Sequence, residues 1–510
     1  MTLQQWFLFF LIIQVIHFLG TWKLYIKADR KAWEAAIPLY NAVVLMQIIN
    51  RPKWWVFLLF LPIINLLMFP VIWVETIRSF GKNSNLDSIL VIVTLGLYIY
   101  YINYLEDVKY IEDRSLKPRT ATGDWISSIV FAIVAATLVH TYFMQPYTIP
   151  TSSLEKSLLI GDFLFVSKFH YGARVPMTTI AAPMVHDTLP FIKTKSYLKS
   201  PQLPYLRLPG LQKIKRNDIV VFSWPVDTVE YFFKKTNKKI RKPIDKKSNY
   251  VKRCVGIPGD SLSIRDGYVF INGKQTVLPD RAKTQLYYDV DTQGKPLSVN
   301  VLKNRYHIRE GGRLPDGNYV LNLTEEDAAL LKKNPSVKSA VKRLSLKGER
   351  EEVFPNERSL DWNKDNYGPI YIPEKGKTVA LDFESLPYYK QIIVEYEKND
   401  LKVNGNEILI NGSPVTSYTF KQDYYWMMGD NRHNSEDSRY WGYVPFDHIV
   451  GKPVFIWFSW DKDAKGMEKI RMDRLFTTVH GEGKPVSYLY WFLGAMAILW
   501  GYSVYRKRAK

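Results

Sequence analysis

Three stretches of the chain carry side chains able to make and break a covalent bond. The first, IPTSSLEKSLLIGD (149–162), sets two serines side by side after a proline and ahead of a Gly-Asp turn. A serine hydroxyl is a weak nucleophile and needs a neighbouring base to take its proton. The second, YVKRCVGIPGD (250–260), places Lys252 in an apolar run that ends in a Pro-Gly-Asp turn. Alternation along a strand puts Lys252 and Cys254 on one face and Val251, Arg253 and Val255 on the other. Burial disfavours the ammonium form, so a lysine held against apolar groups can be neutral near pH 7 and serve as a base. A lysine in such a strand can equally be structural, its stem packed and its amine reaching the surface. The third stretch, GDNRHNSEDSRYWG (429–442), packs Asp, Asn, Arg and Ser between two glycines. That composition builds a loop through side chain to backbone hydrogen bonds, or a simple solvated turn.

Histidine is the usual partner of a nucleophilic serine. The chain has eight: His17, His140, His170, His186, His307, His433, His448 and His480. None sits in a triad setting, and there is neither a GxSxG elbow nor an HExxH metal pair. Arg253, next to the lysine, stays protonated and cannot be the base. The single cysteine, Cys254, allows no intramolecular disulfide and no cysteine metal site, and reads as a packed core thiol. Asp162, Asp260 and Asp430 read as turn residues. No metal or other cofactor is expected.

The elements that must position these stretches include membrane segments. The 510 residues suffice for two or three domains, and 47% are hydrophobic, concentrated in the first 145 residues and the last 30. Five stretches approach the roughly 20 apolar residues a spanning helix needs: 4–22, 54–76, 87–105, 125–144 and 486–504. Pro62 and Pro70 make the second irregular, and residues 35–50, interrupted by Pro38, read as interfacial or re-entrant. The first stretch lacks a basic start and a cleavage site, so it is not a removable leader. Lys and Arg mark the cytoplasmic loops. They gather at 23–53 (Lys23, Lys27, Arg30, Lys31, Arg51, Lys53), at 106–124 (Lys109, Arg114, Lys117, Arg119) and after the last span (Arg506, Lys507, Arg508, Lys510). The loop 77–86 holds only Arg78 and Lys82. One orientation fits all five: N-terminus outside, residues 145–485 exported. The formal charge of +20, with short clusters such as Lys234-Lys235 and Lys246-Lys247, comes with no nucleic-acid motif. It fits work beside an anionic membrane surface, or a solvated basic surface.

The exported part reads as mainly antiparallel β, from runs such as DIVVFSW (218–224), SLSIRDGYVFING (261–273), EILINGSPV (407–415) and KPVFIWFSW (452–460). VFINGKQTV (269–277) and ILINGSPV (408–415) each carry an Asn-Gly hairpin signal. Helix is expected at 323–344, with Thr324 as candidate N-cap. Residues 281–405 are too long and polar for a loop and read as an inserted α+β subdomain.

Taken together and in this order, IPTSSLEKSLLIGD, LLIGDFLFVSKFHYG (158–172), KRNDIVVF (215–222), YVKRCVGIPGD and GDNRHNSEDSRYWG resemble bacterial type I signal peptidase, the membrane-bound Ser/Lys serine protease that removes signal peptides. The resemblance covers roughly 125–275 and 407–460. It implies Ser153 as nucleophile, with Ser152 as the alternative, and Lys252 as general base. It implies an oxyanion hole from the Thr151 hydroxyl and the Ser153 N–H. Ser435 would orient the lysine, Asp437 and Arg439 would form a supporting ion pair, and Tyr147, Ile149 and Val251 would line the substrate pocket. Leu154 stands where methionine is usual, and Lys156-Ser157 replaces the usual Pro-Thr.

The expected organisation is an N-terminal membrane module of about three transmembrane helices (1–122), a transmembrane helix (123–145) and a β core in two parts (146–280 and 406–480). The insert 281–405 separates those parts, and a C-terminal transmembrane helix (485–505) follows. The resemblance further implies secretory preproteins as substrates, the lipid bilayer and translocation machinery as partners, and a place in the cytoplasmic (inner) membrane with the catalytic domain on its outer, periplasmic face. Two rivals stand beside it. One is a self-cleaving Ser/Lys regulator, which would be soluble and bring a DNA-binding domain. The other is a non-catalytic membrane scaffold or sensor that retains a protease-like core.

Overall fold

The computed structural model describes residues 1–118, 120–230 and 239–508; Arg119, Lys234-Lys235 and Lys510, named above for their charge, lie outside the described residues. The chain forms two compact units: Met1–Met144 with Gly172–Pro209 and Lys239–Lys246, and Gln145–Tyr171 with Gly210–Lys238 and Lys247–Lys510.

In the first unit, Leu3–Lys27 is one 25-residue helix, opened by a capping box in which Thr2 and Gln5 satisfy each other's backbone N–H. At 1.5 Å per residue it is long enough for a hydrocarbon core of about 30 Å. The helix Ala121–Leu138 runs on through a π-helical turn to Phe143. Among the described residues these two are the helices long and apolar enough to cross a membrane. Of the five stretches expected to span, these two are single apolar helices of spanning length, and the other three differ from that form. The stretch 54–76 breaks into Trp55–Leu58 and Ile64–Ser79, with Pro62 in the gap and Pro70 inside the second helix. Proline cannot donate to the helical ladder and crowds the preceding turn. The stretch 87–105 is two helices, Asn85–Val93 and Tyr98–Leu105, bent by 117°, so it is either a broken span or a re-entrant loop. Leu95 and Gly96, both at positive φ, make that break. Residues 489–508 do form a helix, but its aromatic residues and the basic last turn, Arg506, Lys507 and Arg508, leave it less apolar than the other two.

The second unit is mainly antiparallel β. Its largest sheet begins with β1 (Met144–Thr148), whose first residue closes the first unit, and β2 (Asp162–Ser167). Next come the long strand Ile449–Ser459, β3 (Ile219–Ser223), β4 (Asn249–Gly256), and then Tyr424–Met428 and Val444–Pro445. Valines, isoleucines and aromatics fill both faces of its middle strands. Ile219, Val221 and, less deeply, Val251 pack on one side with Ile149 and Leu154. Val220, Phe222 and Cys254 pack on the other with Met427. Cys254 is a fully buried core thiol. A second sheet joins β5 (Ser261–Arg265), β6 (Tyr268–Ile271), β7 (Lys274–Gln275) and Tyr367–Tyr371. Both Asn-Gly pairs turn hairpins with the paired positive φ that asparagine and glycine tolerate: Asn272 at 51° and Gly273 at 79°, Asn411 at 52° and Gly412 at 83°.

Two expectations change here. The helix predicted for 323–344 is only Glu325–Leu331; Thr324 caps it, and Ser339–Lys342 is a strand. Asn334-Pro335 ends the helical stretch, as a proline forces on the residue before it. Residues 281–405 divide in two. Residues 286–342 form a separate four-stranded sheet around Leu286, Tyr288, Leu321 and Leu331. By contrast, Val353, Tyr367 and Ile392 pack in one core with Leu262, Val269 and Trp426.

Candidate active site

Lys252 sits in the middle of β4, paired with Val220 of β3 on one side and flanked by Tyr424–Met428 on the other. Two neighbouring strands fix its backbone, so its side chain has one direction to go. Its Nζ lies 2.6 Å from Ser153 Oγ, and both residues are buried, at 4% and 7% exposure. Burial lowers the lysine pKa to about 8; Asp437 and Glu436 pull the other way and Arg439 assists. Ser152 faces a different partner: its Oγ accepts from Asn434 Nδ2 at 3.0 Å. His433, the histidine of the polar loop, bonds Asp365 at 2.8 Å and takes the Tyr287 N–H at 3.0 Å.

The segment carrying Ser153 is held along its length. Asn431 donates its backbone N–H to Ser153 O (3.0 Å) and its side-chain amide to Ser152 O (3.1 Å). Gln285 Nε2 donates to Glu155 O at 2.7 Å. Ser157 Oγ donates to Asp430 Oδ2 at 2.6 Å and accepts from the Lys283 N–H at 3.0 Å. Asp430 in turn takes two bonds from Arg253, at 2.7 and 2.6 Å. Burial pushes this carboxyl up, but the Arg253 guanidinium outweighs it and holds the pKa below the ordinary value. Asp430 is thus a buried ion-pair partner as well as a turn residue. Lys156, at φ +66°, pairs with Asp327 at the start of the helix Glu325–Leu331. Both residues that replace the usual Pro-Thr therefore have structural partners.

The polar loop forms the opposite wall. Asp437 accepts from Gly429 N (3.0 Å) and takes Arg439 through Nε and Nη2, both at 2.8 Å. Arg439 also donates to Arg432 O at 2.6 Å. Arg439 and Asp437 are both at 1% exposure or less. Arg439→Met leaves a buried carboxylate without its partner, which costs about 3–5 kcal/mol. Chemical denaturation of the detergent-solubilised chain checks this; an unchanged midpoint would show the pair to be dispensable. Ser435 is buried beside Gly429, and its Oγ has no hydrogen-bond partner among the described residues, so no bond joins it to Lys252.

Gly429 is a site residue that sequence reasoning did not single out beyond its place at the head of the loop. A Cβ there would meet Ser435 Oγ at 2.3 Å and Ser153 O at 2.5 Å. Gly429→Ala must push the serine segment or the loop away. Overpacking of this kind costs about 1–3 kcal/mol, and a displacement of about 1 Å at reacting atoms costs on the order of 10²-fold in rate. The expected result is a folded protein with kcat reduced on that scale, read by melting and by peptide-cleavage kinetics.

Ile149 is buried with Leu154, and Tyr147 and Val251 lie partly buried against the same cluster; the Tyr147 hydroxyl accepts from Asn249 Nδ2 at 3.3 Å. Thr151 is exposed, two residues before Ser153. The structure thus brings Ser153 to Lys252, packs Tyr147, Ile149 and Val251 with Leu154 in one cluster, and sets the Asp437–Arg439 pair in the loop that carries Ser435.

With this geometry established, comparison with known proteins decides the family. A family model described as signal peptidase, peptidase S26, matches residues 122–326 and 363–460, more than half of the chain. The chain belongs to the signal peptidase S26 family. It is a membrane serine endopeptidase that removes signal peptides. Among similar curated proteins, the signal peptidase I of Buchnera aphidicola subsp. Acyrthosiphon pisum is 24% identical over 390 residues, covering 73% of this chain and 90% of that protein. That of Haemophilus influenzae is 25% identical over 376 residues, covering 72% and 79%. That of Rickettsia massiliae is 24% identical over 380 residues, covering 71% and 94%. Nothing in these comparisons supports the scaffold reading. A second model, described as a family of unknown function (DUF5684), matches residues 33–113. The S26 match skips 327–362, and Asp327, the partner of Lys156, is the first residue skipped.

Proposed function

We propose that this peptidase works through a Ser153/Lys252 dyad. The observation that carries the reading is the 2.6 Å approach of Lys252 Nζ to Ser153 Oγ in a buried setting that lowers the lysine pKa to about 8. Neutral Lys252 takes the Ser153 proton as Oγ attacks the carbonyl carbon of the last signal-peptide residue. The Thr151 hydroxyl and the Ser153 N–H hold the oxyanion; one such donor is commonly worth on the order of 10²–10³ in rate. The protonated lysine then gives its proton to the leaving amine, and water, activated by the same amine, hydrolyses the acyl-enzyme. The Asp437–Arg439 pair keeps the loop beside Lys252 in place, with Ser435 packed against Gly429. Tyr147, Ile149 and Val251 form an apolar wall that suits small residues at the first and third positions before the bond. Substrates anchored in the same bilayer arrive at high effective concentration.

The proposed topology places the N-terminus and residues 145–485 on the outer face of the cytoplasmic membrane. The helices Leu3–Lys27 and Ala121–Phe143 are spans on this reading, and the helix Leu489–Arg508 a third that returns the basic tail to the inside. Whether Ile64–Ser79 and the bent pair after it cross the bilayer or enter and return together, residues 23–53 and 106–124 fall on the same, cytoplasmic side. The organisation proposed is a membrane module, a β core in two parts and a subdomain between them.

The test is to mix the detergent-purified chain with a preprotein whose signal ends in Ala-x-Ala and to read the new N-terminus by mass spectrometry. Cleavage after the final alanine is expected. A folded chain that leaves the preprotein intact, or cuts elsewhere, refutes the proposed substrate recognition.

A further inference from the structure

Arg432 follows Asn431 in the polar loop and is buried to 4% exposure. Among the described residues its Nε has no hydrogen-bond partner, and Nη1 reaches Met428 Sδ at 3.9 Å. Of the acids near it in sequence, Asp430 is hydrogen-bonded to Arg253 and Asp437 to Arg439, so each attracts Arg432 only at a distance, and Glu436 is exposed. Buried charges are ordinarily paired, because removing a cation from water without a partner is costly. Arg432 lines a pocket of about 50 Å³, together with Gln275, Thr276, Thr284, Tyr288 and Leu323. That is several times the space one water molecule needs. Glu325, also on the wall, is paired with Lys342 and hydrogen-bonded by Tyr268, so its charge is largely offset.

We propose that this pocket binds a small oxyanion, a carboxylate or phosphate group, as the counter-ion of Arg432. A planar guanidinium matches such groups through paired N–H donors, and the Thr284 hydroxyl adds a neutral one, the Thr276 hydroxyl being donated to Val269 O. The site lies behind the serine segment. Arg432 donates its backbone N–H to Gln285 O at 2.9 Å, and Gln285 holds Glu155 O; the adjacent Asn431 holds Ser153 O. An anion on Arg432 therefore stiffens the loop that fixes Ser153. The binding itself does not depend on which residues are catalytic.

The experiment follows the melting midpoint of the full chain in detergent while inorganic phosphate, acetate or chloride is titrated at constant ionic strength. Phosphate or acetate is expected to raise the midpoint saturably. At ten times the dissociation constant, mass action shifts the folding equilibrium about tenfold. A response to acetate alone assigns the site to carboxylates, and one to phosphate alone to phosphates. Arg432→Gln is expected to abolish the response. Should that variant fail to fold, Thr284→Glu provides the second arm: it brings a carboxylate into the pocket and is expected to remove the response while keeping the fold. No saturable response, an equal response to chloride, or a response that survives Thr284→Glu overturns the proposal.

Discussion

Ser153→Ala abolishes cleavage, with kcat falling on the order of 10⁴-fold or more, the scale seen when the nucleophile of a serine protease is removed. Ser152→Ala changes the rate by less than about tenfold. The difference follows from where the two hydroxyls point. Ser153 Oγ meets Lys252 at 2.6 Å, whereas Ser152 Oγ accepts from Asn434. Losing the Ser152 hydroxyl removes one neutral hydrogen bond, worth about 1 kcal/mol. The backbone that carries both serines is held through its carbonyls, by Asn431 on Ser152 and Ser153 and by Gln285 on Glu155. Neither alanine variant disturbs those bonds, so both should melt like the parent chain. Cleavage assays on an Ala-x-Ala preprotein, run beside melting curves, separate lost chemistry from lost fold. If Ser152→Ala were the inactive variant, the assignment would reverse.

The stretches of the proposed site stood out in the sequence by residue type, but each alone allowed a structural lysine or a solvated turn, and their roles came from the resemblance of the motifs taken in order. A lysine amid apolar strand residues and a serine pair after Ile-Pro stand out without any contact being known. The hairpins were legible for a similar reason: Asn272-Gly273 and Asn411-Gly412 set their own φ. What could not be read depends on contacts between distant parts of the chain. Asn431 and Ser152 are 279 residues apart, and Gln285 and Glu155 are 130 apart. Nothing local marks these amides as staples. Gly429 looked like any loop glycine until Ser435 and Ser153 O were placed against it. In 54–76 the prolines announced an irregular helix, but not that it stops at Leu58 and restarts at Ile64. The polar surroundings of Val353 and Tyr367 hid that both complete a core begun by Leu262 and Val269.

The activity of the chain rises with pH through about 8 and levels off above it, with kcat/KM falling about tenfold per pH unit on the acid side. The sign follows from the form that reacts. Only unprotonated Lys252 can accept the serine proton. A lysine at its usual pKa of about 10.5 would be neutral in roughly 1 molecule in 3,000 at pH 7. With the pKa near 8, about a tenth of the molecules are competent. Burial supplies that gain of about 300-fold in reactive base, against the attraction of Asp437 and Glu436. Lys252→Met retains a stem of similar length but no basic nitrogen, and should be as inactive as Ser153→Ala. The electrostatics admit a finer check. Glu436 is exposed, and its charge favours the ammonium form. Glu436→Gln should therefore move the inflection to lower pH and raise activity at pH 7, with the plateau unchanged. A shift to higher pH, or a profile that never inflects near 8, would mean that the titrating base is not Lys252.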